Sequence, residues 1–183
     1  MVTNYLIFLL SYFLIVLSVV GHGILAIKFT KTNISTNEIG FVGLVGIFFL
    51  ILYSYVSHFF ISHNYIHNIF FIFVGLVGLF LFRSKILSKN NIISLFSIFT
   101  LIFLAFIIFK THDDFGYYHF PYSYLLTQIE HPVGMGLLNN GFRNHSSIFF
   151  LSSLFYLPKV SFYLLHLAPV YFLGFANLIL IDF

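Results

Sequence analysis

Cysteine is absent from this chain, which excludes disulfides, thiolate metal sites and cysteine nucleophiles. Charge is nearly as scarce. Eight basic and five acidic side chains make up 7% of the 183 residues, where a soluble domain carries roughly 25%. Tryptophan is missing too, yet phenylalanine occurs 28 times and tyrosine 12 times. The net charge of +3 is small, and the basic residues sit between apolar runs. They read as topology signals and exclude a nucleic-acid surface.

What remains is apolar sequence, 60% of the chain. A helix needs about 20 apolar residues to cross the hydrocarbon core. Runs of that kind cover Tyr5–Ile27, Ile39–Ser57 (extending toward Ile61), Ile66–Phe82, Ile92–Phe109 and Val160–Ile181. Ser147–Leu157 is apolar but short, and stops at Pro158. The chain therefore reads as all-α: a polytopic integral membrane protein of about five to six transmembrane helices. Met1–Ile27 has no basic residue ahead of its apolar run, and the run is too long for a signal peptide, so it reads as a retained span. Residues 1–109 form a four-helix transmembrane region. Residues 110–146 form an extracytoplasmic loop with short interfacial helices, and 147–183 form re-entering and transmembrane helices. Leu178-Ile179-Leu180-Ile181-Asp182-Phe183 ends on an apolar run, which predicts an N-terminal fragment of a longer protein.

Orientation follows from the connections. Lys28 and Lys31 follow the first span, and Arg83, Lys85 and Lys89 follow the third, without an acid among them. The positive-inside rule places those loops in the cytoplasm. The N-terminus, the Ser62-His63-Asn64-Tyr65 turn and the 110–146 loop then lie outside. His58, His63 and His67 belong at that outer interface. Gly40, Gly43 and Gly46, and again Gly75 and Gly78, give the small-residue spacing that lets membrane helices pack closely.

The chemistry concentrates in His112-Asp113-Asp114-Phe115-Gly116-Tyr117-Tyr118-His119-Phe120-Pro121-Tyr122. Two of the five acids stand side by side there, just past an apolar span. Asp113 and Asp114 admit three readings. They can cap a helix start, act as a general base toward an acceptor hydroxyl, or hold a divalent metal such as Mg or Mn together with His119. Asp113, Asp114 and His119 are the catalytic candidates; Tyr117 and Tyr118 beside them are candidates for holding substrate. His112, His119, His131 and His145 match no compact zinc spacing, so no dedicated metal set is assigned. Pro121 requires any helix through Tyr117 to bend or end near Phe120. A short helix over Tyr122–Ile129 would place Tyr122, Leu125, Leu126 and Ile129 on one face at the interface. Downstream, Asn139-Asn140-Gly141 is a turn signal, and Asn144 or Ser146 can cap a helix that starts near Ser147. Arg143 and His145 beside that helix start suit a phosphate. Lys110 reads as an interfacial anchor, and Glu130 as a solvated side chain.

The run Asp113-Asp114-Phe115-Gly116-Tyr117-Tyr118-His119, with Gly141-Phe142-Arg143-Asn144-His145-Ser146-Ser147 downstream, resembles a family of bacterial polytopic membrane proteins that carries an Asp-Asp-Phe-x-Tyr-Tyr-His motif. That family in turn resembles the GT-C superfamily of glycosyltransferases. The likeness covers Thr111–Pro158, about a quarter of the chain. It implies transfer of a sugar from a polyprenyl-phosphate-linked donor at the outer face of the bacterial inner membrane. Asp113 or Asp114 would then be base or metal ligand. GT-C enzymes place the acidic pair after the first span; here it follows the fourth. Two other readings stand beside this one. A transporter or flippase component would be expected to carry ionisable groups at mid-membrane, and spans one to four hold no Asp, Glu, Lys or Arg well inside them. A non-enzymatic assembly subunit would instead dock through the Gly40/Gly43/Gly46 face.

Overall fold

The computed structural model describes residues 2–31, 38–82, 87–108, 113–130, 133–143 and 145–181. Arg83, Lys85, Lys110, His112, His131 and Asn144 lie outside the described residues. Among the described residues every regular element is helical. The α-helices are α1 (Val2–Thr30), α2 (Ile39–Ser57), α3 (Tyr65–Leu81), α4 (Lys89–Ile108), α5 (Phe120–Gln128), α6 (Ser147–Ser153) and α7 (Leu167–Ile181). A 3-10 segment, Ser161–His166, leads into α7. Helix is the form that closes its backbone hydrogen bonds within one segment, which long apolar runs require wherever water cannot serve them.

Four segments are long and apolar enough to cross a membrane: Tyr5–Thr30, Ile39–Ser57, Lys89–Ile107 and Phe162–Ile181. α3 is apolar but has 17 residues. The short run after residue 146 folds as α6, with seven residues. At 1.5 Å per residue α6 covers about 10 Å, a third of a bilayer core.

The chain divides into two compact units. One holds Met1–Phe13, Ile51–Phe71 and Thr111–Ala168; the other holds Leu14–Leu50, Ile72–Lys110 and Pro169–Phe183. α1, α2 and α3 each contribute residues to both.

In the second unit glycines set the helix spacing. A Cβ on Gly21 of α1 would strike the Gly75 carbonyl of α3. A Cβ on Gly23 would strike the Val42 carbonyl of α2, and one on Gly46 the Val19 carbonyl of α1. α1 is thus approached by backbone from two sides, which only small residues permit. Gly40 and Gly43 receive Phe175 and Leu178 of α7, while Gly174 of α7 receives the Phe99 ring of α4. Ser18 Oγ donates to the Ile72 carbonyl at 3.0 Å, adding a polar tie from α1 to α3.

The first unit is built around Tyr122, Leu126, Met135, Phe142, Phe149 and Phe150, with Tyr55, Tyr118 and Leu125 packed against them. The α5 face expected at the membrane interface is turned inward instead. Tyr122 and Leu126 are fully buried and only Ile129 is exposed. The aromatic partners on α6 and on the 3-10 turns, distant in sequence, supply the cover. α3 begins at a side-chain cap: Asn64 Oδ1 accepts from the Ile66 and His67 N–H groups, each at 3.1 Å. We expect Asn64→Ala to cost about 1 kcal/mol, read as a lower melting temperature in detergent; an unchanged melt would mean that the cap adds nothing.

Candidate functional site

Pro121 dictates the local shape of the acidic motif. It has no N–H to give, and its ring crowds the carbonyl one turn back. The chain responds with a π-helical turn over Phe115–His119, in which the Phe120 N–H reaches the Phe115 carbonyl, and continues as α5 from Phe120. The helix expected to bend or end near Phe120 continues through it and changes from π to α winding there. Such turns recur at functional sites. The Tyr117 carbonyl, four residues before Pro121, accepts from Asn139 Nδ2 at 3.3 Å. Asn139 Oδ1 in turn accepts the Gly141 N–H at 2.8 Å. The turn read from Asn139-Asn140-Gly141 is therefore tied directly to the acidic motif.

The candidate residues fall in one neighbourhood of this unit. Asp113 is exposed and Asp114 half-buried. Asp114 occupies the position before the π turn but makes no capping bond with its side chain. Its Oδ2 accepts from the Tyr118 hydroxyl at 3.5 Å. The Tyr118 ring meets His119 edge-on, with centroids 4.3 Å apart, and both rings touch Phe149. Tyr117 projects outward. A Cβ at Gly141 would press into the Tyr118 ring, so that glycine lets the downstream turn close over the motif.

Phe149 also packs on Tyr122, whose hydroxyl pairs with His145 Nδ1 at 3.0 Å. Burial, with Tyr55 close by, pushes the Tyr122 phenol up, so it keeps its proton and can donate. Arg143 is exposed, its Nε reaching the Gly136 carbonyl at 3.5 Å. Ser146 stands ahead of α6 without a capping side-chain bond; the Phe149 N–H takes the Ser146 carbonyl at 3.0 Å instead. Among the described residues no group of three or more His, Asp or Glu converges as a metal site. These residues alone do not complete a donor set for Mg or Mn, and no step below runs through a metal.

A second polar cluster was missed in the sequence. His58, His63 and Asn68, placed at the outer interface or passed over by sequence reasoning, are buried inside the protein. The reason is backbone supply. Helix α6 ends in the interior, and in the last turn of α5, whose end at Gln128 and Ile129 is exposed, Leu126 is buried; the enclosed carbonyls of these turns need donors. His58 Nε2 donates to the Leu126 carbonyl at 2.9 Å, and the His63 N–H joins it at 3.0 Å. Asn68 Nδ2 faces the Ser153, His63 and Tyr156 carbonyls at 2.8, 2.9 and 3.0 Å.

The geometry also fixes proton positions. Ser153 Oγ gives its proton to the Phe150 carbonyl at 2.7 Å, so His63 Nδ1 must donate to Ser153 Oγ, 2.7 Å away. His63 Nε2 then accepts from Ser57 Oγ at 2.9 Å. Asn68 Oδ1 accepts from His67 Nδ1 at 2.9 Å, leaving His67 Nε2 for the Tyr53 hydroxyl at 2.8 Å. Burial, helped by His58 and His67, pushes His63 far below the usual imidazole range and keeps it neutral. The one sequence signal was the crowding of His58, His63, His67 and Asn68 around a tight turn between apolar helices.

No family model, curated protein or solved structure matches this chain.

Proposed function

We propose that this chain is an integral membrane protein of the bacterial inner membrane that transfers a sugar from a polyprenyl-phosphate-linked donor at the outer face. The observation that carries the reading is the acidic pair immediately ahead of the π turn. One accessible carboxylate, Asp113, and one half-buried, Asp114, stand beside Tyr117, Tyr118 and His119. A carboxylate placed so can take the proton of an acceptor hydroxyl as its oxygen bonds the anomeric carbon and the bond from that carbon to the phosphate oxygen breaks, the polyprenyl phosphate leaving with the electron pair. Arg143 and His145 are the groups for the donor phosphate, both exposed and both brought to the same neighbourhood through Gly136, Gly141 and Tyr122. Membrane placement draws on the four long apolar helices and on apolar side chains that remain exposed along α2, α3 and α4, such as Leu52, Phe70, Phe73 and Leu101. Lipid tails would cover these.

The assembly-subunit reading loses its docking face. Gly40, Gly43 and Gly46 are already met by the chain's own α7 and α1. The test of the proposal is a transfer assay in proteoliposomes, with a radiolabelled polyprenyl-phosphate sugar and a panel of hydroxyl acceptors. Label leaving the lipid fraction supports the reading. Label that stays in the lipid with every acceptor ends it.

A further inference from the structure

The loop after α5 carries the most exposed apolar side chains of the first unit. Val133 is 81% exposed, Leu137 90% and Leu138 78%. They do not hang on a slack strand. The 3-10 turns Met135–Leu137 and Asn140–Arg143 lie between them and beside them. Met135 and Phe142 are buried in the aromatic cluster and act as two roots. Asn139 fixes the bend between the turns through Gly141 and Tyr117, and the Arg143 stem lies on Gly136. An ordered scaffold that presents leucine outward calls for something to cover it.

We propose that residues 133–143 form a finger that seats Val133, Leu137 and Leu138 in the acyl boundary of the bilayer, with Arg143 at the depth of the headgroups, where the phosphate of a lipid-linked donor would also stand. This rests on the membrane reading above. Three observations favour lipid over a protein partner. First, the finger is rooted at the end of a candidate span: Tyr55, in the last turn of α2, stacks on Phe150 with centroids 4.3 Å apart, and its hydroxyl meets Ser147 Oγ at 3.4 Å. α2 has 19 residues, about 28 Å of helix, so if it spans, its end stands at the edge of a core about 30 Å thick. Second, the finger itself is cationic: residues 133–143 hold Arg143 and no carboxylate, the acids of this unit (Asp113, Asp114 and Glu130) lying outside it. Third, Tyr117, joined to the finger through Asn139, is 67% exposed, the placement of a tyrosine in an interfacial belt.

The absence of native cysteine makes the test direct. Leu138→Cys and Leu137→Cys, each labelled with a polarity-sensitive fluorophore, go into vesicles of phosphatidylethanolamine and phosphatidylglycerol. Both positions are surface side chains, so the substitutions spare the core. The expected result is blue-shifted emission, quenched several-fold more by nitroxides on the acyl chains than by aqueous iodide. An alkaline carbonate wash of the same vesicles reports integration of the chain separately. A chain that resists the wash but whose labels are quenched by iodide overturns the finger and leaves the membrane reading standing. Labels shielded from both quenchers also overturn it, in favour of cover by protein; a second copy is then indicated if shielding fades as the protein is diluted in lipid. A chain that washes off overturns both.

Discussion

Asp113→Asn combined with Asp114→Asn is expected to lower sugar transfer by about 10²–10⁴-fold, the usual contribution of a positioned general base. Asparagine keeps the volume and the Tyr118 contact but cannot take a proton. Neither side chain is buried, so folding and membrane integration should survive. A base acts in the transition state, so kcat should fall with little change in KM. The single variants then separate the roles. Asp113 is the more accessible of the two, whereas Asp114 is held toward Tyr118. If Asp114 serves through that contact, Tyr118→Phe should reproduce part of its loss. Wild-type transfer by both single variants and by the double variant would remove the acidic pair from the mechanism, which is the outcome a non-enzymatic subunit requires.

Acid should loosen the first unit, and His63 should account for much of it. An unfolded imidazole titrates near 6.5, while folded His63 is held far lower by burial and by His58 and His67. Between those two values the unfolded chain binds a proton that the folded chain does not. His63 therefore imposes no penalty above about pH 6.5, and stability falls as pH drops below it, by about 1.4 kcal/mol per pH unit. At about pH 4 the loss is roughly 3 kcal/mol. The groups facing the ring are Ser57, Ser153, His58 and His67, with Tyr53 one step beyond. The titratable neighbours acting on the ring are two further imidazoles, His58 and His67, which oppose the new charge. Melting in detergent at about pH 7.5 and about pH 4.5 should show a steep decline for the wild type. His63→Gln should melt lower at neutral pH, having lost its bonds to Ser57 and Ser153, but should decline less with acid. Equal pH slopes for the two proteins would mean that His63 is not the titrating group.

Much of the candidate site was legible one residue at a time. Side-by-side carboxylates after an apolar run stand out in a chain with five acids, and Pro121, by its missing N–H, marks Phe120 as a disturbed position, though the expected bend or end is replaced by a change from π to α winding. Asn139-Asn140-Gly141 was readable as a turn, though not as one whose asparagine reaches back to Tyr117. The inward face of α5 was misread. Periodicity shows that Tyr122, Leu125 and Leu126 share a side, but not whether lipid, water or Phe149 and Phe150 will cover it.

The sequence by itself determined that the molecule is helical, that it lacks thiol chemistry, and that apolar runs separate basic connections, because composition and periodicity act locally. Only the tertiary structure decided that the carbonyls of Leu126 in α5 and Ser153 in α6 are enclosed and that His58, His63 and Asn68 supply the donors there. It likewise paired Gly21 with Gly75 and Gly23 with Gly46. Asn68 and the Ser153 carbonyl are 85 residues apart, and His63 and Ser153 are 90. Partners so distant are chosen by which backbone groups are left unpaired when helices of unequal length pack, and no local pattern in the chain records that.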